Sequence, residues 1–134
     1  MDNQDQARLN WFKILKRIGY EYYKIKNYIR ALEAYQKALE IDPNNAEVLN
    51  GIGRVYYASN ETAQALNYFQ QALAAAPDLT SENVCYYNIG LTFEKMSQYE
   101  EAMQAYEQAL IRSPDDQKTQ HRKAVLLSKL KKEG

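Results

Sequence analysis

Apolar residues recur along the chain with the spacing of amphipathic helices, and the spacing itself repeats. In three successive stretches, large apolar residues stand at i, i+3 and i+7, and the segment that follows carries a small, a large and a small residue at i, i+4 and i+7. Both spacings place the side chains on one face of an α-helix. Short polar connectors, KIKN, ASNE and KMSQ, separate the two segments of each stretch. The pattern therefore predicts three pairs of short helices.

The prolines give the period of the repeat. Pro43, Pro77 and Pro114 stand 34 and 37 residues apart, within the range that is typical of repeat architectures. Aligned on these prolines, the rest of the chain falls into columns. The columns are Leu15, Leu49 and Tyr86; Ile18, Ile52 and Ile89; Gly19, Gly53 and Gly90; Tyr22, Tyr56 and Phe93; Ala31, Ala65 and Ala102; Tyr35, Phe69 and Tyr106; and Ala38, Ala72 and Ala109.

The glycine column indicates close helix packing. A glycine inside a helix costs about 0.5–1 kcal/mol relative to alanine, so its recurrence at Gly19, Gly53 and Gly90 calls for a packing reason. Small residues let two backbones approach, and the bulky tyrosine, phenylalanine and isoleucine columns then fill the remaining space.

The boundaries of the repeats follow from the helix-breaking prolines and from the segments at the two ends of the chain. The three extra residues of the longer period fall in LTSE (79–82), and we predict that they lie in a loop, with Thr80 or Ser81 capping the next helix. After Pro114 the register continues only through Ala124 and Leu127, which predicts a terminal helix with a polar outer side. At the start, DQARLNWF is expected to extend the first helix by about two turns, with Trp11 covering its exposed flank.

These columns resemble the tetratricopeptide-repeat signature, W/L-x2-I-G-x2-Y…A-x3-Y/F-x2-A…P, in every unit. The resemblance divides the chain into a helix extension (1–11), three repeats (12–45, 46–79 and 83–116) and a C-terminal capping helix (117–134). It implies an all-α superhelix, a solenoid of seven helices, whose first helices line a concave groove that binds a peptide or partner segment. The chain departs from the family at Tyr86, and at Lys26, Asn60 and Ser97, where the family often has glycine in the turn between helices.

The register also predicts which residues face the groove. Positions 2, 5, 6, 9 and 12 of each repeat point toward it, and they make it basic and rich in tyrosine. Arginine and lysine pair with carboxylates and tyrosine offers a large contact area, so an extended acidic or aromatic peptide is the expected ligand. The predicted binding residues are Lys13, Lys16, Arg17, Tyr20, Tyr23, Asn50, Arg54, Tyr57, Tyr87, Asn88, Leu91, His121 and Arg122. On exposed helices, lysine, arginine and tyrosine are also common as solvated or packing residues, and this interpretation stays open beside the first.

For one specific ligand, the acidic C-terminus of a heat-shock chaperone, the sequence alone shows whether the binding residues are present. Tetratricopeptide domains that hold the acidic C-terminus of heat-shock chaperones resemble one another in a two-carboxylate clamp, with Lys, Asn, Asn, Lys and Arg at five groove positions. Here those positions hold Lys16, Tyr20, Gly51, Val84 and Asn88, so only Lys16 matches. The sequence therefore argues against this clamp.

Catalytic, metal and cofactor sites are not predicted. Catalysis needs a nucleophile with a base, or two acids with separated pKa values, in a cleft, and no such set stands out. One Cys85 and one His121 cannot supply four zinc ligands or an internal disulfide. Gly51 and Gly53 lie within a helical pattern rather than in a phosphate-binding turn. The chain is predicted not to be an enzyme and to need no cofactor.

Charge and hydropathy narrow the partners further. Lys and Arg against Asp and Glu number 8 and 6 in residues 1–45, 3 and 10 in 46–116, and 6 and 1 in 117–134. The middle is acidic, which disfavours nucleic acid as a partner. No apolar run reaches the ~18 residues of a membrane span, and no leader is evident at the start. We expect a cytoplasmic protein, or a stromal or membrane-peripheral one in a plastid or cyanobacterium.

Two classes of function remain. The first is a peptide-binding adaptor or assembly chaperone, and similar three-repeat proteins serve in photosystem assembly in bacteria and plastids. The second is a structural scaffold in which the first repeat or the convex face packs against another copy, giving a homo-oligomer.

Overall fold

The computed structural model describes residues 2–133, which form seven α-helices and no strand. The helices are α1 (Asn3–Lys24), α2 (Tyr28–Ile41), α3 (Ala46–Ala58), α4 (Thr62–Ala75), α5 (Leu79–Lys95), α6 (Tyr99–Arg112) and α7 (Gln117–Glu133). They pack as the pairs α1–α2, α3–α4 and α5–α6, with α7 against α6. The predicted all-α repeat architecture with seven helices is confirmed. None of the helices in the described residues is both long and apolar enough to cross a membrane.

Within each pair, a glycine of the first helix lies against an aromatic ring of the second. A Cβ atom built on Gly19 would lie 2.7 Å from Tyr35, and one built on Gly53 or Gly90 would lie 2.5 Å from Phe69 or Tyr106. These separations are well inside van der Waals contact, so a side chain at these positions would force the helices apart. The glycine and aromatic columns are therefore two sides of one contact.

The first helix of each later repeat buries a second face against the preceding pair. Val48 of α3 and Cys85 of α5 are fully buried on this face, at the third position of their repeats. The contacts of α3 with α2, and of α5 with α4, link one pair to the next. A solenoid without a single central core results, because each pair contacts only its neighbours.

The turns within the pairs need left-handed backbone. Lys26, Asn60 and Ser97 have φ of 65°, 65° and 60°, in the region that glycine favours. These are the positions at which the sequence departs from the family's glycine. The N–H of the following residue bonds back to the end of the first helix, as Asn27 does to Tyr22. The hydrogen bonds of the turn hold these three residues in the left-handed conformation.

The three extra residues lie in a helix and not in a loop. Helix α5 begins at Leu79, with Asp78 as its N-cap, so the prediction that Thr80 or Ser81 would cap it is wrong. The carboxylate of Asp78 accepts a hydrogen bond from the Ser81 N–H at 2.8 Å. Helix α5 is four residues, just over one turn, longer than α3, and the columns stay in register.

Both ends of the solenoid differ from expectation. Ala124 and Leu127 of α7 are exposed, whereas Thr119 and Leu126 are buried. No helix of its own repeat follows α7 within the described residues, so only the face that packs on the preceding pair is covered. At the other end α1 does extend by more than two turns, but Trp11 is half exposed and does not cover the flank.

Candidate functional site

The first helices line up to form one side of the solenoid. Helix α3 contacts both α1 and α5, so the side chains that leave these three helices on the same side share a continuous surface, here called the groove. Two cavities lie in it, and Arg54 of α3 lines both. The proximal cavity lies between α1 and α3, and the distal cavity lies between α3 and α5.

The proximal cavity has a volume of about 310 Å³ and holds more positive than negative charge. It is lined by Lys16, Arg17, Tyr20, Tyr35, Glu47, Gly51 and Arg54. Lys16 Nζ bonds Glu47 Oε2 at 2.7 Å, so these two charges compensate each other. Within residues 2–132 Arg17 and Arg54 form no ion pair. The cavity therefore presents two guanidinium groups without a carboxylate partner.

Arg54 is held by aromatic rings rather than by acids. Its guanidinium carbon lies 5.0 Å from the ring centroid of Tyr23 and 6.0 Å from that of Tyr20. Such cation–π contacts orient an arginine and leave its five N–H donors free to bind. A carboxylate fits this geometry, because two parallel N–H groups can hold its two oxygens.

The distal cavity, of about 340 Å³, is mainly aromatic and aliphatic. It is lined by Tyr23, Arg54, Tyr57, Phe69, Val84, Tyr87, Asn88, Leu91 and Lys118. Cations border it at the rings: Lys95 Nζ lies 4.1 Å from the Tyr57 centroid and Lys118 Nζ lies 4.4 Å from that of Tyr87. Lys95 also donates a hydrogen bond to the Tyr57 carbonyl oxygen at 2.7 Å.

Burial raises the pKa of the groove tyrosines, whose hydroxyl groups are protonated at neutral pH in any case. Desolvation raises the pKa of Tyr35 to about 12, against the opposing effect of Arg54. Desolvation likewise raises the pKa of Tyr57 and of Tyr87, with Arg122 acting in the opposite direction. Their hydroxyl groups are therefore available as hydrogen-bond donors to an anionic ligand.

A chain of buried amides lies between α3 and α5. The Asn50 side-chain N–H donates to Cys85 Sγ at 3.3 Å, and Asn88 donates to the Asn50 oxygen at 3.3 Å. All three residues are buried, although Asn88 also lines the distal cavity. Asn50 therefore joins two repeats through its amide, whereas the sequence had placed it among the binding residues.

Arg122 of α7 is likewise engaged inside the protein. Its Nη2 donates to Glu94 Oε2 at 2.8 Å, and the other oxygen of Glu94 accepts a hydrogen bond from the Tyr106 hydroxyl at 2.9 Å. The three side chains join α5, α6 and α7. Arg122 is thus a contact between the cap and the last repeat.

Nine of the thirteen predicted residues line one or both cavities, and four line neither. Lys16, Arg17, Tyr20, Tyr23, Arg54, Tyr57, Tyr87, Asn88 and Leu91 line one or both cavities. Lys13 and His121 are exposed and line neither, and Asn50 and Arg122 form the internal contacts above. Lys95, in the last turn of α5 and one position beyond the predicted groove register, also lines neither cavity, but its ammonium group lies over the ring of Tyr57 of α3.

The described residues contain no evident set of metal ligands. Among the described residues no group of three or more His, Cys, Asp or Glu side chains is arranged to hold a metal ion. The one thiol, Cys85, is buried.

Comparisons with known families and structures agree with this architecture. Residues 13–78 match a family model described as tetratricopeptide repeat, and residues 84–116 match a second model of the same description. Neither match indicates a catalytic family. Among curated proteins, no sequence matches the chain.

Solved structures of similar fold include three repeat domains. The first TPR domain of Spaghetti (RPAP3), bound to the HSP90 peptide SRMEEVD, is 23% identical with a TM-score of 0.79 over 90% of this chain and 94% of that one. The N-terminal domain of STI-1 from C. elegans is 22% identical, with a TM-score of 0.76 over 94% and 98% of the two chains. The TPR2AB domain of yeast Sti1, in a pHSP90 complex, is 20% identical with a TM-score of 0.84; the match covers 90% of this chain and 48% of that one.

Proposed function

The chain belongs to the tetratricopeptide-repeat family, a family of protein-interaction modules, and we propose that its groove binds an extended segment of a partner protein around Arg54. The observation that carries this proposal is the position of Arg54, which lines both cavities and stacks on Tyr23 without an acidic partner in the described side chains. In this role the protein is an adaptor or assembly chaperone.

The two cavities favour two different side chains of the ligand. The proximal cavity offers Arg17 and Arg54 to a carboxylate. The distal cavity offers Tyr57, Tyr87 and Leu91 to an apolar or aromatic group, with Lys118 at the edge. We therefore propose a ligand with an acidic residue a short distance along the chain from an apolar or aromatic residue.

Two of the similar structures are complexes with an HSP90 peptide and with pHSP90, and such a peptide provides a discriminating test. This chain has Tyr20, Gly51, Val84 and Asn88 at clamp positions, and its one matching residue, Lys16, is paired with Glu47 at 2.7 Å. The HSP90 peptide SRMEEVD also carries acidic and apolar residues, but this chain lacks four of the five clamp residues, so we expect the peptide to bind at least about 10-fold more weakly than the best of the designed peptides below. Fluorescence anisotropy with both labelled peptides measures this, and equal or tighter binding of SRMEEVD would contradict the proposed selectivity.

A set of designed peptides tests the proposal directly. Each peptide carries one Glu and one Phe or Leu at varied spacing in a Ser/Gly background, and matched peptides lack the acid or the apolar residue. We expect the tightest binding for one spacing of the complete pair. Arg54→Ala should weaken that binding by about 30-fold, the equivalent of a hot spot of about 2 kcal/mol. Arg30→Ala is the matched control, because Arg30 is exposed on α2 and lines neither cavity.

Two results would overturn the proposal. One is equal binding by peptides with and without the acidic residue, and the other is an Arg54→Ala protein that binds as the unmodified protein does.

A further role in photosystem assembly stays a prediction from the resemblance alone. Co-purification with photosystem subunits from a photosynthetic cell, lost in Arg54→Ala, would support it. The scaffold alternative concerns the open flank of α1, which adjoins the proximal cavity at Arg17.

A further inference from the structure

Helix α1 exposes a face that every later first helix buries. At the third position of each unit, Val48, Cys85 and Thr119 are 0% exposed, because the preceding helix pair covers them, whereas Ile14 is 48% exposed. The position is apolar in α1 as it is in α3. A side chain suited to burial thus stands at the open end of the solenoid.

Ile14 belongs to a continuous apolar stripe, here called the α1 flank. Apolar residues follow one another along α1 and its C-cap at steps of three or four, at Trp11, Ile14, Ile18, Tyr22 and Ile25. Ile25 is 71% exposed and Trp11 is half exposed. A cavity of about 530 Å³ lies along the stripe and is lined by Ile14, Arg17, Ile18, Glu21, Tyr22 and Ile25. An exposed stripe of this kind is typical of a helix that packs against another helix.

The charges on the α1 flank indicate which helix would cover it. Glu21 occupies the tenth position of its unit, where Val55, Thr92 and Leu126 are buried in the later first helices. Glu21 has an exposed ion pair with Lys24 at 3.3 Å on its own helix, whereas Arg17, one turn away on the same flank, forms no ion pair in residues 2–132. An apolar helix laid over the α1 flank would bury the Arg17 guanidinium without a carboxylate, which is costly. A covering helix that brings a carboxylate to Arg17 therefore fits this flank best.

We propose that the α1 flank is the interface of a homodimer, formed by antiparallel packing of α1 against α1 of a second copy. In a two-fold pair with its axis at the level of Gly19, Arg17 of each copy stands at the level of Glu21 of the other. One sequence then supplies two equivalent ion pairs, as a two-fold interface requires. The self-complementary spacing of Arg17 and Glu21 is what selects a second copy as the partner.

The same register matches the apolar residues. With Arg17 opposite Glu21, residue n lies at the level of residue 38 − n, so Ile14 falls one residue from Ile25 of the second copy. The two Ile18 side chains lie about 3 Å apart along the helix axis. Ile14, Ile18 and Ile25 of one copy therefore lie near Ile25, Ile18 and Ile14 of the other. The apolar contacts and the ion pairs require the same register of the two helices.

Sedimentation velocity tests this without any peptide ligand, from about 1 µM to about 1 mM protein. We expect the mass to rise with concentration from 15.6 kDa toward twice that value. Ile14→Glu should abolish the rise, since it places a charge in the middle of the stripe. Ile111→Glu is the matched control, because Ile111 is 67% exposed on α6, outside the α1 flank, and this variant should dimerise as the unmodified protein does.

Charge reversal tests the register of the pair. Arg17→Glu and Glu21→Arg should each weaken dimerisation at least 10-fold by placing like charges opposite each other, and the double variant R17E/E21R should restore it. A protein that is monomeric up to about 1 mM overturns the proposal and leaves the flank to a different partner. A dimer that persists in Ile14→Glu also overturns it, because the interface then lies elsewhere.

Discussion

Replacing Arg122 should loosen the attachment of α7 to the last repeat. Arg122 binds Glu94 at 2.8 Å, and the Tyr106 hydroxyl binds the other oxygen of the same carboxylate. In Arg122→Met the carbon stem of the side chain is largely kept, while the positive charge is lost. Glu94 then keeps one neutral hydrogen bond and no cation.

The magnitude follows from the burial of the two side chains, which are 10% exposed for Glu94 and 35% exposed for Arg122. Breaking a fully buried pair costs about 3–5 kcal/mol, whereas exposed pairs contribute about 0–1 kcal/mol. This pair lies between the two cases, since water reaches the arginine but scarcely the carboxylate. We therefore expect Arg122→Met to lower the free energy of unfolding by about 2 kcal/mol.

Urea unfolding followed by far-UV circular dichroism measures the loss. With a slope of about 2 kcal/mol per M, the midpoint should fall by about 1 M. Lys123→Met is the matched control on the same helix, because its ion pair with Glu107 is longer, at 3.9 Å, and the Glu107 carboxylate is 51% exposed. That variant should change the free energy of unfolding by less than about 0.5 kcal/mol.

A double-mutant cycle with Glu94→Gln identifies the cause. Glutamine can still accept the Tyr106 hydrogen bond but carries no charge, so Arg122→Met should cost about 1 kcal/mol less in the Glu94→Gln background. Equal midpoints for Arg122→Met and Lys123→Met, or strictly additive effects in the cycle, would refute the reasoning.

Three further predictions concern the packing and titration of single residues. Gly53→Ala should destabilise the protein by about 1 kcal/mol net, because overpacking against Phe69 outweighs the gain in helix propensity; thermal unfolding should show a smaller cost in a Phe69→Leu background. Desolvation opposes but does not outweigh the hydrogen bonds from Thr119 and Asn83 that lower the pKa of Asp116. A lowered native pKa stabilises the fold above the unfolded pKa, and this contribution is lost as the pH falls from about 4 through the native value; the unfolding free energy of Asp116→Asn, followed by urea titration, should therefore decline less over that interval. Burial raises the pKa of the Cys85 thiol, with Asn50 opposing, so Ellman's reagent should react slowly at neutral pH and rapidly in concentrated guanidinium; fast reaction of the native protein would contradict this burial.

The groove was predictable as far as helical register reaches. Arg54 and Tyr57 are three residues apart on one helix, so their shared direction follows from 3.6 residues per turn. The same register in α5 places Tyr87 and Leu91 on the groove side. Predicting the direction of these side chains required only knowing which face of each helix is buried.

The contacts that the sequence did not predict join residues that lie far apart in the chain. Nothing near Asn50 reveals that Cys85 and Asn88, 35 and 38 residues away, take up its amide. Nothing near Arg122 reveals its ion pair with Glu94, which stands 28 residues before it. An ion pair or an amide chain forms between whichever polar groups the packing brings within hydrogen-bond distance, and the repeat pattern does not contain that distance.

The periodic part of the molecule follows from residue spacing: paired helices, glycine against aromatic ring, and a series of first helices with their groove positions facing one way. These features are local or repeat at a fixed period, so spacing encodes them. Burial where the repetition ends depends on contacts that exist only in the folded chain. Ala124 and Leu127 follow the repeat yet are exposed, and Ile14 matches a buried column yet faces solvent. A side chain is buried only where a second surface covers it, and in the described residues the first and last helices lack one of the neighbours that the helices between them have.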